Sequence, residues 1–231
     1  MIRIRQAAGG GRVVEVAPDR LPGWLMRFGA RHGGALVRDS GPAAIVIVGG
    51  DGATAALAVP FSPERATQGG LEPTTEPVEA LLAHVAALGD LAAIVVRERA
   101  FSVGICRAGS VLVSSTDTRY VQSRTAAGGW SQQRYARRRG NQRRDSYRAA
   151  ADAAHRVFAA HPYAFDGLIV AGDRTAIDAV LDDARLHAVA ALPRRVFPDV
   201  GEPRRAVLDE VAVRALTVEI TIRDAGATSG T

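Results

Sequence analysis

One segment near the middle of the chain combines glycines, an aromatic residue, amides and arginines at short spacings. Two adjacent glycines, Gly128 and Gly129, are followed by an indole at Trp130 and by two amides at Gln132 and Gln133. Paired glycines let a backbone adopt positive φ and approach another surface closely. Arginines follow the amides at short intervals, and guanidinium groups hydrogen-bond phosphates. The combination predicts a tip directed at a nucleic acid.

The distribution of charge favours the same interpretation. The chain of 231 residues has a net charge of +5, and its 29 basic side chains are all arginine. Between Asp117 and Arg148 nine arginines stand against two acids, whereas the rest of the chain is slightly acidic. The absence of lysine everywhere is typical of a GC-rich genome, but a local concentration of arginine indicates a polyanionic partner. Taken singly, a Gly-Gly turn is more often a simple connector and an arginine-rich helix face is usually solvated.

The elements that must position these residues follow from hydrophobic periodicity. Before the glycines, three apolar runs predict an antiparallel meander of strands. After them, a helical pattern leads into a further alternation of strands and helices, so the class is α/β with a mixed sheet and packed helices. The predicted elements are strands near Leu91–Arg97, Phe101–Cys106 and Ser110–Ser115, a helix from about Ser131 to Ala160 interrupted at Gly140-Asn141, strand Gly167–Val170, helix Arg174–Leu181, strand Val196–Val200 and helix Arg204–Val213.

The long helix divides into two halves. At about 100° per residue, five arginines of its first half fall within a third of the circumference, while Arg139 and Arg143 point the other way. An apolar stripe from Tyr147 to Phe158 predicts that the second half docks on the sheet and that the first half projects. The five arginines are Arg134, Arg137, Arg138, Arg144 and Arg148.

The domain organisation is predicted from composition. The stretch 62–77 is rich in Pro, Gly, Thr and Glu without an apolar period, which makes it a linker. It would separate a small N-terminal α/β part, residues 1–61, from a catalytic domain, residues 78–224, with a flexible tail at 225–231. In the N-terminal part we expect a strand at Val13–Val16, a helix at Leu21–Arg31 and strands at Ala43–Val48 and Ala55–Phe61.

Several classes of function are disfavoured. No apolar run reaches the length of a membrane helix, and the N-terminus lacks the apolar stretch of a secretory signal, which favours the cytoplasm. The single cysteine, Cys106, lies in an apolar strand and is expected in the core. The five histidines show no metal spacing, so we expect no metal and no cofactor. The glycine-rich turns at 9–11 and 49–52 lack the setting of a phosphate loop.

The run from Gly128 to Arg139 resembles the middle domain of eukaryotic and archaeal peptide release factors. In that family a Gly-Gly-Gln loop is followed by Ser-x-x-Arg-aromatic-Ala-Arg-x-Arg. The resemblance extends over about Leu91 to Val213 and implies the RNase H-like fold of that middle domain. The residues that match without a gap are Ser131, Arg134, Tyr135, Ala136, Arg137 and Arg139.

One departure from that pattern is informative. Where release factors place glutamine, directly after the glycines, this chain has Trp130. The spacing Gly129-Trp130-Ser131-Gln132 resembles instead the Gly-x-x-Gln of the Vms-type branch, which contains ribosome-rescue peptidyl-tRNA hydrolases. Short actinobacterial members of that branch lack zinc-finger, ankyrin and coiled-coil parts, as this sequence does.

The resemblance implies hydrolysis of the peptidyl-tRNA ester on stalled large ribosomal subunits. Gln132, or alternatively Gln133, would orient a water or oxyanion donors, because a neutral amide has no pKa suited to a general base. Gly128 and Gly129 would let the tip enter an RNA-lined cavity. The partners would be the large subunit, its rRNA and peptidyl-tRNA. The expected RNA-binding residues are Trp130, Ser131, Arg124, Arg134, Arg137, Arg138, Arg139, Arg143, Arg144 and Arg148.

Two other functions remain open. Trp130 in the glutamine position is compatible with a non-hydrolytic rescue module of the Pelota type, which binds ribosomes without releasing the peptide. Trp130 itself could stack on a base or anchor the loop against its own helix. A nuclease acting on the tRNA acceptor end is less favoured, because no carboxylate cluster for magnesium is visible in the sequence.

Overall fold

The computed structural model describes residues 4–7, 10–41, 43–62, 77–118 and 130–225, and at 38–40, 130–136, 138 and 139 it describes the backbone alone. The chain divides into two compact units, Met1–Leu88 with Arg214–Thr231, and Gly89–Val213. Each unit packs helices on a β-sheet, so the predicted α/β class is confirmed. The elements are β1 (Ile4–Gln6), β2 (Arg12–Val16), α1 (Leu21–Arg31), β3 (Ala35–Ser40), β4 (Ala44–Gly49), β5 (Thr54–Ala58), α2 (Pro77–Ala87), β6 (Leu91–Val96), β7 (Ala100–Arg107), β8 (Ser110–Thr118), α3 (Trp130–Ala159), β9 (Gly167–Gly172), α4 (Arg174–Leu181), α5 (His187–Ala190), β10 (Arg194–Phe197), α6 (Arg205–Arg214) and β11 (Val218–Arg223), with short 3-10 helices at Pro18–Arg20 and Ala184–Leu186.

The first unit contains a six-stranded sheet in the order β1-β2-β11-β5-β4-β3, in which every neighbouring pair is antiparallel. Inward residues of its strands form one core with α1 and α2, through Leu21 and Phe28 of α1 and Leu81 and Val85 of α2. The alternation of buried and half-exposed residues along β4 follows from the period of two in a strand with one covered face.

The observed units move the predicted domain boundary. Helix α2, most of which falls within the predicted catalytic domain of residues 78–224, belongs to the first unit, and β11 inserts between β2 and β5 of that unit's sheet. Strands β1, β3 and β11 were not predicted. An apolar helix stripe does not reveal which sheet it will cover, and strand pairing over such a sequence separation leaves no local pattern. Residues 63–76 of the predicted linker and 226–231 of the predicted tail lie outside the described residues.

The second unit contains a five-stranded mixed sheet in the order β10-β9-β6-β7-β8. β10, β9 and β6 are parallel, whereas β6, β7 and β8 form the antiparallel meander that the sequence predicts. Both faces of the central strands are covered, so β6 and β9 are buried at every position. One face packs against α3 and α4. On the other face, Leu208 of α6 lies over Gly104 of β7.

Helix α3 is continuous through the position where the sequence predicts an interruption. It runs for 30 residues from Trp130 to Ala159, and Gly140 lies inside it. A single glycine lowers helix stability by about 1 kcal/mol relative to alanine, which the neighbouring good helix formers can offset. The first and last residues of the helix, Trp130 and Ala159, each lie one position before the predicted ones. Strand β10 likewise ends at Phe197, before the predicted end at Val200.

Candidate functional site

The predicted catalytic amides lie in the first turn of α3. The helix begins at Trp130, so the backbone of Gln132 and Gln133 is helical and not part of a loop. Gly128, Gly129 and Arg124 lie outside the described residues. The side chains of Trp130, Ser131, Gln132, Gln133, Arg134, Arg138 and Arg139 lie outside them too. At 1.5 Å per residue, α3 is about 45 Å long, with the amides at its amino-terminal end.

Three arginines share one exposed face of α3, which we call the basic face. Arg137, Arg144 and Arg148 are exposed, and their spacing of seven and four residues places them within about 40° around the helix axis. The guanidinium of Arg144 donates a hydrogen bond to Oδ1 of Asn141, 2.6 Å away. These described members of the predicted RNA-binding set therefore point in a common direction.

The second half of α3 is anchored on the sheet of the second unit. The first buried residue along the described part of the helix is Ser146, and from there the buried positions recur every three or four residues. Alanines at most of these positions let the helix approach the sheet closely, and Phe158 fills the space near its end. We call residues 146–159 the anchored half and residues 130–145 the arm. The buried apolar residues of the anchored half are Ala150, Ala151, Ala153, Ala154 and Phe158.

Arg143 differs from the basic face in direction and in partner. It lies on the side of α3 that continues into the buried positions Ser146 and Ala150, three and seven residues later. Its Nε is 3.4 Å from Oε1 of Glu98, in the turn between β6 and β7. One turn further along, Tyr147 packs against the core, and burial raises the pKa of its phenol.

The turns beside Arg143 are fixed by the ends of two parallel strands. Arg97 donates from Nε to Oδ1 of Asp173 at 3.2 Å, and the Asp173 amide donates to the Val96 carbonyl at 3.0 Å. Gly172 makes this approach possible, since its φ is +106° and a Cβ there would overlap the Val96 carbonyl oxygen. The residue next to Glu98 is thus tied to a neighbouring strand end.

A buried carboxylate holds the far end of α3. Asp90, which precedes β6, accepts two hydrogen bonds of 2.6 Å from Arg107 at the end of β7. It also lies 2.7 Å from Nε2 of His161, just after α3. The Arg107 guanidinium holds the pKa of the Asp90 carboxyl below its ordinary value, with a smaller contribution from His161, although burial acts in the opposite direction. Sequence reasoning missed this network because its members are far apart in the chain.

Beyond Arg148, the solvent side of the anchored half carries an ion-paired carboxylate. Asp152 pairs with Arg185 at 2.6 Å, and Arg185 also binds Asp183 at 2.7 Å. The hydrogen bonds from Arg185 hold the pKa of Asp183 well below its usual range. The basic face therefore ends within two turns of the point where the helix meets the sheet.

The remaining candidate residues show no arrangement suited to nucleophilic catalysis or metal binding in the described part of the chain. Cys106 is buried in β7, as predicted, and burial raises the pKa of its thiol to about 12. A thiol with this pKa stays protonated and is a poor nucleophile near neutral pH. Among the described residues, no group of three or more His, Cys, Asp or Glu side chains could hold a metal ion. Within the same part of the chain, no helix is both long and apolar enough to cross a membrane.

Comparison with known proteins identifies a family whose sequence model matches this chain. The sequence model of the Actinobacteria/chloroflexi VLRF1 release factor matches residues 89–221, more than half of the chain. None of the curated proteins compared with the chain matches it. Among solved structures, one titled "Vms1 mitochondrial localization core" is similar, with a TM-score of 0.43 and 13% sequence identity over 78% of this chain and 76% of that chain.

Proposed function

Because the chain belongs to the Actinobacteria/chloroflexi VLRF1 release factor family, we propose that it hydrolyses peptidyl-tRNA on stalled large ribosomal subunits. The observation that carries the proposal is a Gly-x-x-Gln sequence, Gly129 to Gln132, at the start of a helix whose far half is buried against the sheet. The basic face of this helix offers guanidinium groups to phosphates. The reaction would take place in the cytoplasm and would free the nascent chain.

The arm suits entry into a narrow RNA cavity. A single helix with its side chains is about 10 to 12 Å across, and the arm extends about 24 Å beyond the first buried residue. Arg137 and Arg144 lie on the arm and Arg148 lies just beyond it on the same face, so phosphates could be neutralised successively as the arm enters. Asp152 and Asp183 share one cation, Arg185, so this cluster keeps a net negative charge that would repel RNA and so limit the depth of entry.

The role assigned to Gln132 is to position a water molecule and the oxyanion. The peptidyl ester is activated, so its hydrolysis needs a well-placed water more than a strong base. A carboxamide can hold such a water through its oxygen and an oxyanion through its N–H₂ group. The first four N–H groups of any helix lack an intrahelical partner and carry the positive end of the helix dipole. In α3 these belong to residues 130–133, so backbone donors would stand beside the amide to stabilise the developing oxyanion.

The decisive experiment compares two adjacent amides in a single-turnover assay. Large subunits loaded with peptidyl-tRNA are mixed with excess wild-type, Gln132→Ala or Gln133→Ala protein. We expect Gln132→Ala to lower the release rate at least about a hundredfold without weakening subunit binding, because loss of a positioning group acts on orientation. Gln133→Ala is the matched control. Equal release by Gln132→Ala and wild type would remove Gln132 from the mechanism, and loss in Gln133→Ala alone would transfer the role to that residue.

The second candidate is a non-hydrolytic rescue module, favoured by Trp130 in the position directly after the glycines. The same assay separates it from hydrolysis: tight binding of the wild-type protein to loaded subunits without peptide release would support the module. Gel analysis of the tRNA from the assay tests cleavage of the acceptor end, which ester hydrolysis leaves intact.

A further inference from the structure

We propose that Glu98 is a positioning residue that holds the arm of α3 through Arg143. Arg143 then serves to direct the helix and does not contact RNA, unlike the three arginines of the basic face. The catalytic part of this inference rests on the proposed function, whereas its structural part concerns the free protein.

The direction of the Arg143 side chain separates it from the basic face. Arg137, Arg144 and Arg148 are exposed on one side of the helix, while Arg143 precedes Ser146 and Ala150 on the side that docks on the sheet. Of these four arginines, Arg143 is the one whose guanidinium forms an ion pair with a carboxylate in the described part of the chain. RNA lying along the basic face would be about 100 to 140° around the helix axis from it.

The partner of Arg143 sits on a rigid support. The turn that carries Glu98 is closed by the Arg97 amide, which donates to the Ala100 carbonyl at 2.9 Å. Arg97 is in turn bound to Asp173 at the end of β9. The strand that precedes the turn, β6, is buried throughout. The turn that carries Glu98 is therefore tied to the sheet, and the contact of Glu98 with Arg143 lies three residues before Ser146, the first buried residue of the described part of α3.

The position of the pair gives a weak interaction a large geometric effect. Both side chains are 47% exposed, and pairs of this kind shift a local equilibrium by only about two- to fivefold. Yet Arg143 is 13 residues from Trp130, or about 20 Å along the helix, so a tilt of about 10° there moves the start of the helix by about 3 Å. Displacements of that size are enough to prevent reaction in the misplaced population.

A charge exchange tests this proposal. The variants are Glu98→Arg, Arg143→Glu and the double variant Glu98→Arg/Arg143→Glu. The matched control exchanges an ordinary exposed pair on α4, Arg174→Asp/Asp178→Arg, whose members are 3.8 Å apart. For each protein we would measure amide hydrogen exchange of residues 137–146 in the free state. Single-turnover peptide release would be measured at saturating protein, and the salt dependence of subunit binding would be measured alongside.

We expect each single variant to increase amide exchange in 137–146 and to lower the maximal release rate, both by about two- to fivefold. The unfolding midpoint should stay unchanged. The double variant should restore both quantities, and the salt slope of Glu98→Arg should equal that of wild type. The control exchange should change nothing.

Two results would overturn the proposal. If Arg143 contacts phosphate, Arg143→Glu and the double variant will both lose affinity and salt slope, and the exchange of charges will rescue neither. If the pair has no positional role, amide exchange will be the same in all variants. Should the wild-type protein release no peptide, the proposed hydrolysis fails, while amide exchange in the free protein still decides whether Glu98 holds the arm.

Discussion

The two halves of α3 are helical for different reasons. The anchored half buries alanines and Phe158 against the sheet of the second unit, so tertiary packing stabilises its helical backbone. The arm has no buried residue among its described positions and is rich in arginine. Arginine is a good helix former, so the helical backbone of the arm rests on residue preference and not on burial of apolar side chains.

One helix can therefore contribute to the core at one end and extend from it at the other. The boundary between the two halves lies near Ser146, where the sheet-facing side of the helix changes from charged to small apolar residues. After Ser146 the helix is part of the core, whereas before it the described side chains are exposed or half-buried. Changes in the anchored half should therefore be read in global stability, and changes in the arm in binding, local opening and chemistry.

The largest expected effect on stability is in the anchored half. Phe158→Ala should lower the free energy of unfolding by about 3 to 5 kcal/mol, because it leaves a cavity beside the sheet. Arg144→Ala, exposed in the arm, should change it by no more than about 0.5 kcal/mol. Urea denaturation of both variants measures the contrast. Comparable losses would show that the two halves are stabilised alike.

The next effect concerns the lock at the far end of α3. Asp90→Asn should cost about 1.5 to 3 kcal/mol at pH 7, since it weakens charge-assisted hydrogen bonds from Arg107 and His161. The folded pKa of Asp90 is lowered, so its contribution is present above the unfolded pKa of about 4 and is lost as pH falls through the folded value. Denaturation from pH 7 to pH 3 should show the wild type and the variant converging below about pH 4. A constant difference would mean that the charge of Asp90 contributes nothing.

A smaller effect is expected in the arm at Gly140. A Cβ at this position would meet no other atom within 4 Å, so packing does not require glycine. Gly140→Ala should stabilise the arm helix by about 1 kcal/mol and slow amide exchange around it about fivefold, without a matching rise in the global unfolding midpoint. If peptide release falls while exchange slows, bending at Gly140 contributes to function. Unchanged exchange would mean that the arm does not open locally at this residue.

The smallest effect on stability should come from the basic face. Arg137→Ala and Arg144→Ala should leave unfolding unchanged within about 0.5 kcal/mol. Each should nevertheless reduce the slope of log affinity against log salt for large-subunit binding by roughly 0.7 to 0.9 per lost phosphate contact. Arg174→Ala, exposed on α4, is the control and should keep the slope. An unchanged slope in the two arm variants would exclude the basic face from the RNA interface.

Elements with strong local signals were predicted well. Helices α1 and α4 have the predicted bounds, and the meander of β6, β7 and β8 was found from three apolar runs and a glycine turn. The missed strands β1, β3 and β11 are short or half-exposed, and their pairing depends on distant partners. Gly140 produced the opposite error, because a local helix breaker was given more weight than the helix formers around it.

The candidate site likewise combines residues that local spacing predicts with side-chain pairs that it does not. Spacing alone placed Arg137, Arg144 and Arg148 on one face, and the described side chains agree. The pairing of Arg143 with Glu98 and of Asp90 with His161 had no sequence signal, since their partners are 45 and 71 residues away. Whether Gln132 acts on peptidyl-tRNA stays a prediction that the release assay decides.

The amino-acid sequence sets the order of chemical groups in this segment: two glycines before α3, and then amides, arginines and an alanine-rich stripe within it. Because a helix has a constant period, this order also fixes the face on which each residue lies, without reference to the rest of the chain. The tertiary structure decided where the helix leaves the sheet, which arginine is held by a carboxylate, and which unit receives α2 and β11. Those outcomes depend on contacts between segments far apart in sequence, and no local periodicity encodes them.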